Sequence, residues 1–299
     1  MVDVASPLLQ RRRLSNELKR ARQAKGLTQE QVARAMEWSL SKMIRIENAS
    51  TGISTNDLKA LLPLYDITDD QVTDHLIELA RAARARSWWS GYRGGYRDVA
   101  PSTLLQLIEY EYAAASIKQF EPVFIPGILQ TEDYARAVLA NYYDETRVSD
   151  RVSELVELRI RREELLSRET APQFSFIVDE AVIRRVVGSP AIMSRQLQRL
   201  IEVSELSNVT VEVIPFSEGL HAGMRGPVKI VEFADGPEER IVFLESPRGD
   251  IVVDDSKEIA KYLEAYSQIK ESSLDRQESV DLLKQIADDM AVLADGRRA

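Results

Sequence analysis

The stretch LTQEQVARAMEWSLSKMIRIEN, residues 27–48, contains two helix starts, at Thr28 and at Ser39. Thr28 caps a first short helix, Gln29 to Met36, and Gln31 three residues on completes a capping box. Ser39 opens a second helix that runs to Asn48. Two short helices that meet at a sharp angle need a small residue where they approach, and Ala33 stands there. Val32, Met36, Trp38, Met43 and Ile46 then face a common core. Ser39, Leu40, Ser41, Lys42, Ile44 and Arg45 are left on the outside of the second helix. This is the helix-turn-helix pattern, whose second helix enters a DNA major groove.

Working outward, Leu14, Leu18 and Ala21 keep helical spacing amid Arg11, Arg12, Arg13, Lys19, Arg20, Arg22 and Lys25, and Gly26 stops that helix. On the other side Ser54-Thr55-Asn56-Asp57 caps a helix through Leu58, Leu61 and Leu62, which Pro63 kinks or ends. Thr68-Asp69-Asp70-Gln71 opens a fifth, through Val72, Leu76, Leu79, Ala80 and Ala83. The charge follows the same division. Residues 1–97 hold 16 Lys and Arg against 11 Asp and Glu, whereas the remainder holds 23 against 37, within a total of −9. A basic module joined to an acidic one directs an anionic partner to the first part only.

Residues 27–48 resemble the Cro/cI-type (Xre) DNA-binding domain at most structural positions, and the resemblance extends over Leu14 to Ile67. Two residues depart from that pattern: Glu37 stands where the turn usually has glycine, and Trp38 replaces a smaller β-branched residue. The resemblance implies that Gln29, with Thr28 beside it, meets a phosphate and fixes register. It places Leu40, Ser41 and Arg45 at base-contacting positions, with Ser39 and Lys42 alongside. Arg45 either pairs with a guanine edge or is held by Glu47 or Glu30. Leu40 contacts a thymine methyl or is simply an exposed leucine. Arg12 and Arg13 are candidate phosphate contacts or part of a solvated charge run. One such motif reads only a few base pairs, so a homodimer on a pseudo-palindromic double-stranded site is expected.

Residues 86–101 change texture, with aromatics, glycines and arginines in no helical period, so the expected organisation is a five-helix module at 1–85, a linker at 86–101 and a second domain at 102–299. Trp88 and Trp89 either stack on nucleic-acid bases or dock the linker onto the second domain. Helices are expected over Ser102 to Gln119, from Thr131, over Val148 to Arg168, Glu180 to Val187, Ala191 to Leu206, Ser256 to Ser272 and Leu274 to Leu293. β-rich runs fall at Phe174 to Val178, Val209 to Ile214, Val228 to Phe233, Ile241 to Leu244 and Ile251 to Val253. The expected fold class is a mainly α N-terminal domain plus a C-terminal α+β domain with a small mixed or antiparallel sheet.

EYEYAAASIKQFEPVFIPGILQTEDYARAVL (109–139), the Arg159–Arg162 helix, VDEAVIRRVVGS, MSRQLQRLIEVSELSNVTVEVIPF and IVFLES resemble the regulator domain of unknown function that follows such a helix-turn-helix in actinobacterial WhiJ-like and antitoxin-like regulators. Glu163 departs from it, where glutamine is common. The resemblance implies a DNA-binding transcriptional regulator. It also implies a small acidic protein partner encoded nearby, and an antitoxin-like role in holding that partner is the alternative.

The composition excludes several chemistries. Without cysteine there is no disulfide, thiolate metal site or thiol nucleophile, and two histidines, His75 and His221, cannot build a multi-histidine centre. No metal, cofactor or catalytic site is expected. Asp179-Glu180 and Asp254-Asp255 are adjacent pairs at helix starts, where the macrodipole accounts for them. The loop Glu218 to Gly226, with His221 and Arg225, is the one suggestive mixture, and it reads as a ligand- or partner-binding hairpin rather than a general base. No run approaches the about 20 apolar residues of a membrane span, so a cytoplasmic protein, on the nucleoid when DNA-bound, is expected.

Overall fold

The computed structural model describes residues 6–85, 102–141, 149–234, 240–245 and 250–296. The chain divides into two units, Met1–Arg93 and Gly94–Ala299. The division falls inside the 86–101 segment, which lies outside the described residues together with Trp88 and Trp89.

The first unit is helical: α1 (Pro7–Ala24), α2 (Gln29–Ala35), α3 (Leu40–Glu47), α4 (Thr55–Leu64) and α5 (Asp70–Ala82). Each start is capped by a side chain that accepts an orphan backbone N–H: Ser6, Thr28, Ser39, Ser54 and Asp69. At Thr28 the full capping box with Gln31 is formed. The first four helices close alike. Gly26, Glu37, Ala49 and Asp66 take left-handed φ values of 53° to 67°. The next N–H in each case reaches back five residues, Leu27 to Arg22 O, Trp38 to Ala33 O, Ser50 to Arg45 O and Ile67 to Leu62 O. Pro63 sits inside the last turn of α4, which runs on to Leu64. Leu18, Val32, Met43, Leu58, Leu61 and Leu76 form the sealed centre of the core, with Met36 and Trp38 packed against it.

The second unit is α+β. Its elements are α6 (Ser102–Ala113), β1 (Ala114–Glu121), α7 (Glu132–Ala140), α8 (Ser149–Glu163), β2 (Gln173–Asp179), α9 (Glu180–Arg184), α10 (Pro190–Ser204), β3 (Val209–Ile214), β4 (Val228–Phe233), β5 (Arg240–Leu244), β6 (Ile251–Val253), α11 (Ser256–Glu271) and α12 (Arg276–Gly296). The strands form a six-stranded mixed sheet in the order β3-β2-β1-β4-β5-β6. β1, β2 and β3 are parallel, while β4, β5 and β6 continue from β1 antiparallel. α11 covers one face over Phe120, Ile177, Ile230 and Val242. α10 and α12 pack against each other beside β3.

The central strand overturns one expectation. Ser102 to Gln119 was expected to be a single helix, but the helix stops at Ala113 and Ala114–Glu121 is β1. The run Ala113-Ala114-Ala115 favours helix locally. The two ladders that β1 gains, parallel to β2 and antiparallel to β4, override that propensity. The helix expected over Val148 to Arg168 ends at Glu163 and tightens into a 3-10 turn over Glu164–Leu166.

Candidate nucleic-acid interface

α3 is held by its buried side. Met43, Ile46 and Glu47 face inward, and Ser39 caps the helix by accepting from Lys42 N at 3.2 Å. Outward it presents Leu40, 44% exposed, and Ile44, 37% exposed, with Ser41 and Arg45 also exposed. The stripe is thus apolar with one cation.

Arg45 has no ion-pair partner among the described residues, because both carboxylates that could have held it are engaged elsewhere. Glu47, 1% exposed at its side chain, takes Arg22 at 2.6 Å. Glu30 pairs with Arg34 at 3.5 Å. The intramolecular alternative for Arg45 is therefore removed.

Other expected contacts are engaged within the protein. Lys42 Nζ lies 4.1 Å from the Trp38 ring centroid and bonds Asp57 Oδ2 at 3.0 Å, which ties α3 to α4. It is a structural strut and not a freely offered cation. Trp38, the bulkier residue at this place, supplies the ring it rests on. Gln29 gives one amide hydrogen to Glu47 Oε2 at 2.6 Å. Thr28 is exposed, and its hydroxyl accepts from Gln31 N at 3.2 Å. Arg12 is a correction, since it is buried at 8% exposure with partners inside the protein. A buried guanidinium does not meet solvent-side phosphates. Arg13 is half-buried and also partnered.

In the second unit His221 is buried. Its Nε2 lies 3.1 Å from Asp179 Oδ2, and its ring stands edge-on to Phe120. Asp179 also caps α9 by accepting from Ala181 N at 2.8 Å. His221 thus tethers its loop to Asp179. Gly223 lies so near Phe120 that a Cβ there would come within 2.5 Å of the ring. Around these anchors the loop projects Phe216, Leu220, Met224 and Arg225 outward.

Sequence reasoning assigned no chemistry to a further set, Gln119, Glu121, Gln130, Arg159, Arg162 and Lys229, which share one cavity wall. They come from four separate segments, and the motifs EYEYAAASIKQFEPVFIPGILQTEDYARAVL and Arg159–Arg162 contain all of them but Lys229.

Residues 13–76 match a family described as Helix-turn-helix domain, and residues 104–285 match one described as Domain of unknown function (DUF5753). No curated protein and no solved structure matches the chain. No helix among the described residues is long and apolar enough to cross a membrane.

Proposed function

The chain belongs to the DUF5753 family and carries a DNA-binding helix-turn-helix domain ahead of it, and from this premise we propose that it is a sequence-specific transcriptional regulator of the Xre, WhiJ-like kind. It binds a pseudo-palindromic operator as a homodimer, works in the cytoplasm, and catalyses no reaction. The observation that supports this reading most is the outer stripe of α3, in which the unpaired Arg45 stands beside Leu40, Ser41 and Ile44. Arg45 reads guanine, Leu40 and Ile44 contact thymine methyls, and Thr28 and Gln29 meet the backbone.

The second unit modulates that reading by linkage. A ligand or partner that prefers one state of the dimer changes affinity for a fixed half-site spacing without touching a base. Selection of duplexes from a random pool by the full-length protein tests the reading. An enriched palindrome is expected. Binding that shows no enrichment and disappears as salt rises would reduce the protein to phosphate-driven contact.

A second reading has its own support. Phe216, 58% exposed, Leu220, 88% exposed, and Met224, 62% exposed, form an apolar crest beside the exposed Arg225. An antitoxin-like protein that holds a small acidic partner would use such a crest. Loss of a co-purifying small protein on Leu220→Asp would favour it over the operator-centred role.

A further inference from the structure

The motif around β1 and the paired arginines of α8 have no part in DNA reading, yet they converge in space. A cavity of about 290 Å³ lies between α6, α7, α8 and the face of the sheet that carries Gln119, Lys229 and Phe243. Its size is near the lower end of the range for small-molecule sites, roughly 300–1,000 Å³. Leu107, Phe124, Leu139 and Phe243 contribute apolar wall. Glu121 stands at the C-terminal end of β1, the strand at which the sheet changes from parallel to antiparallel pairing. Open α/β sheets gather ligands at strand ends where the order reverses.

The polar wall carries a cationic set and an acidic set, with Lys229 acting on both Glu111 and Glu121. In the cationic set, Arg162 forks onto Glu111 with bonds of 3.0 and 2.8 Å, and Lys229 bonds the same carboxylate at 3.1 Å. All three are buried, so two cations share one anion and a positive charge is left over. Burial alone would raise the Glu111 carboxyl, but Arg162 and Lys229 hold it below the ordinary value. Arg159 adds a second guanidinium, held by Gln130 Oε1. Both guanidiniums approach Gly127, within 3.5 and 4.0 Å of where its Cβ would be. In the acidic set Glu121 accepts from Gln119 Nε2 at 2.7 Å and sits near Glu245. Glu121, Glu245 and Asp250 have no ion-pair partner among the described residues. Nor do any three acidic or histidine groups there converge as metal ligands, so the acidic set suits an organic cation.

We propose that this cavity binds a small zwitterionic organic molecule with an apolar body, of the free amino-acid type, its carboxylate toward Arg159 and Arg162 and its ammonium toward Glu121 and Glu245. The assignment rests on the reading that the second unit modulates DNA binding, and it names the class of effector.

The probes are L-leucine and L-phenylalanine, with 3-phenylpropanoate and 2-phenylethylamine as singly charged analogues. At pH 8, where the Glu121 carboxyl is ionised, and at about 10 mM, either amino acid is expected to raise the melting temperature of the full-length protein, and each analogue to bind at least about tenfold more weakly. A singly charged analogue that binds as tightly as L-phenylalanine, or no shift from either amino acid, overturns the proposal. Glu121→Gln should weaken L-phenylalanine and 2-phenylethylamine but leave 3-phenylpropanoate unchanged, and Arg159→Gln should do the reverse. Glu245→Gln repeats the first test at an exposed position, where folding is not at stake. Equal loss of all probes in these variants overturns the assigned polarity. Operator affinity is measured in the same samples. Amino-acid binding that leaves DNA affinity unchanged removes the regulatory reading and keeps the ligand. An operator selected by a protein that binds no amino acid removes the ligand and keeps the regulator.

Discussion

The guanidinium of Arg22 grips the carboxylate of Glu47 through two bonds, Nε to Oε1 at 2.6 Å and Nη2 to Oε2 at 3.0 Å, and so clamps α1 to the last turn of α3. Arg22 also donates to Leu27 O at 2.6 Å, and Gln29 completes the cluster on Glu47. The bond to Glu47 raises the affinity of Arg22 for its proton. One buried carboxylate thus positions both the reading helix and the residue expected to meet phosphate. Glu47→Ala strands a mostly buried cation, and we expect the first unit to lose about 3 kcal/mol in urea denaturation. Operator affinity should fall with it, since Gln29 loses its anchor.

Arg45→Ala should leave stability unchanged and relax discrimination at one base position of each half-site by about 1–3 kcal/mol. Binding to a panel of single-base operator variants measures this. An equal loss on every sequence would show that Arg45 meets phosphate only.

Glu37 holds φ at 54° in the turn between α2 and α3. A left-handed conformation costs a non-glycine residue about 1 kcal/mol, so Glu37→Gly should stabilise the first unit by up to about that amount, less the backbone entropy glycine adds to the unfolded chain. Thermal melting with Glu37→Ala as the control isolates the backbone effect, because alanine keeps the strain.

Burial, reinforced by Glu245 and opposed by Gln119 and Lys229, pushes the Glu121 carboxyl from 4.5 up to about 7. The folded chain therefore holds this proton where the unfolded chain has released it. The stability this group contributes is full below about 4.5 and is lost as pH rises toward 7. Glu121→Gln should gain on the parent protein between pH 5 and pH 8, as read by denaturation at the two values. A constant difference would show that the carboxyl titrates normally.

Gly223→Ala forces a methyl against the Phe120 ring, where a Cβ would lie 2.5 Å from Cζ. A loss of about 1–3 kcal/mol is expected in the second unit. The same substitution at Gly219 offers an internal comparison. A Cβ there meets open space, but its φ of 69° carries strain without a clash.

The residues that were legible in the sequence are those whose role is set within a few positions of themselves. Thr28 with Gln31, Ser39, Ser54 and Asp69 announce helix starts because a cap needs only its own first turn. The residues that were not legible answer to distant partners. Lys42 is taken by Asp57 fifteen positions away, and Gln29 by Glu47 at eighteen. Ala114 to Gln119 reads as helix until β2 and β4 flank it. The cavity escaped for the same reason, since Glu121, Arg159 and Lys229 become neighbours only in the folded sheet.

β1 is the hub of its sheet, and its antiparallel neighbour β4 lies far along the chain, with Ser116 opposite Glu232 and Phe120 opposite Val228. On the ribosome β1, β2 and β3 therefore emerge with one whole side of β1 unpaired. That edge carries Ile117 and Phe120, and it stays open until residue 233 has been made. Long-range pairing of this kind closes slowly, and an open apolar edge invites other chains. A nascent or prematurely ended chain that stops before Val228 is thus a sticky half-sheet. The order of the strands along the chain leaves closure of the second unit's sheet to its last third.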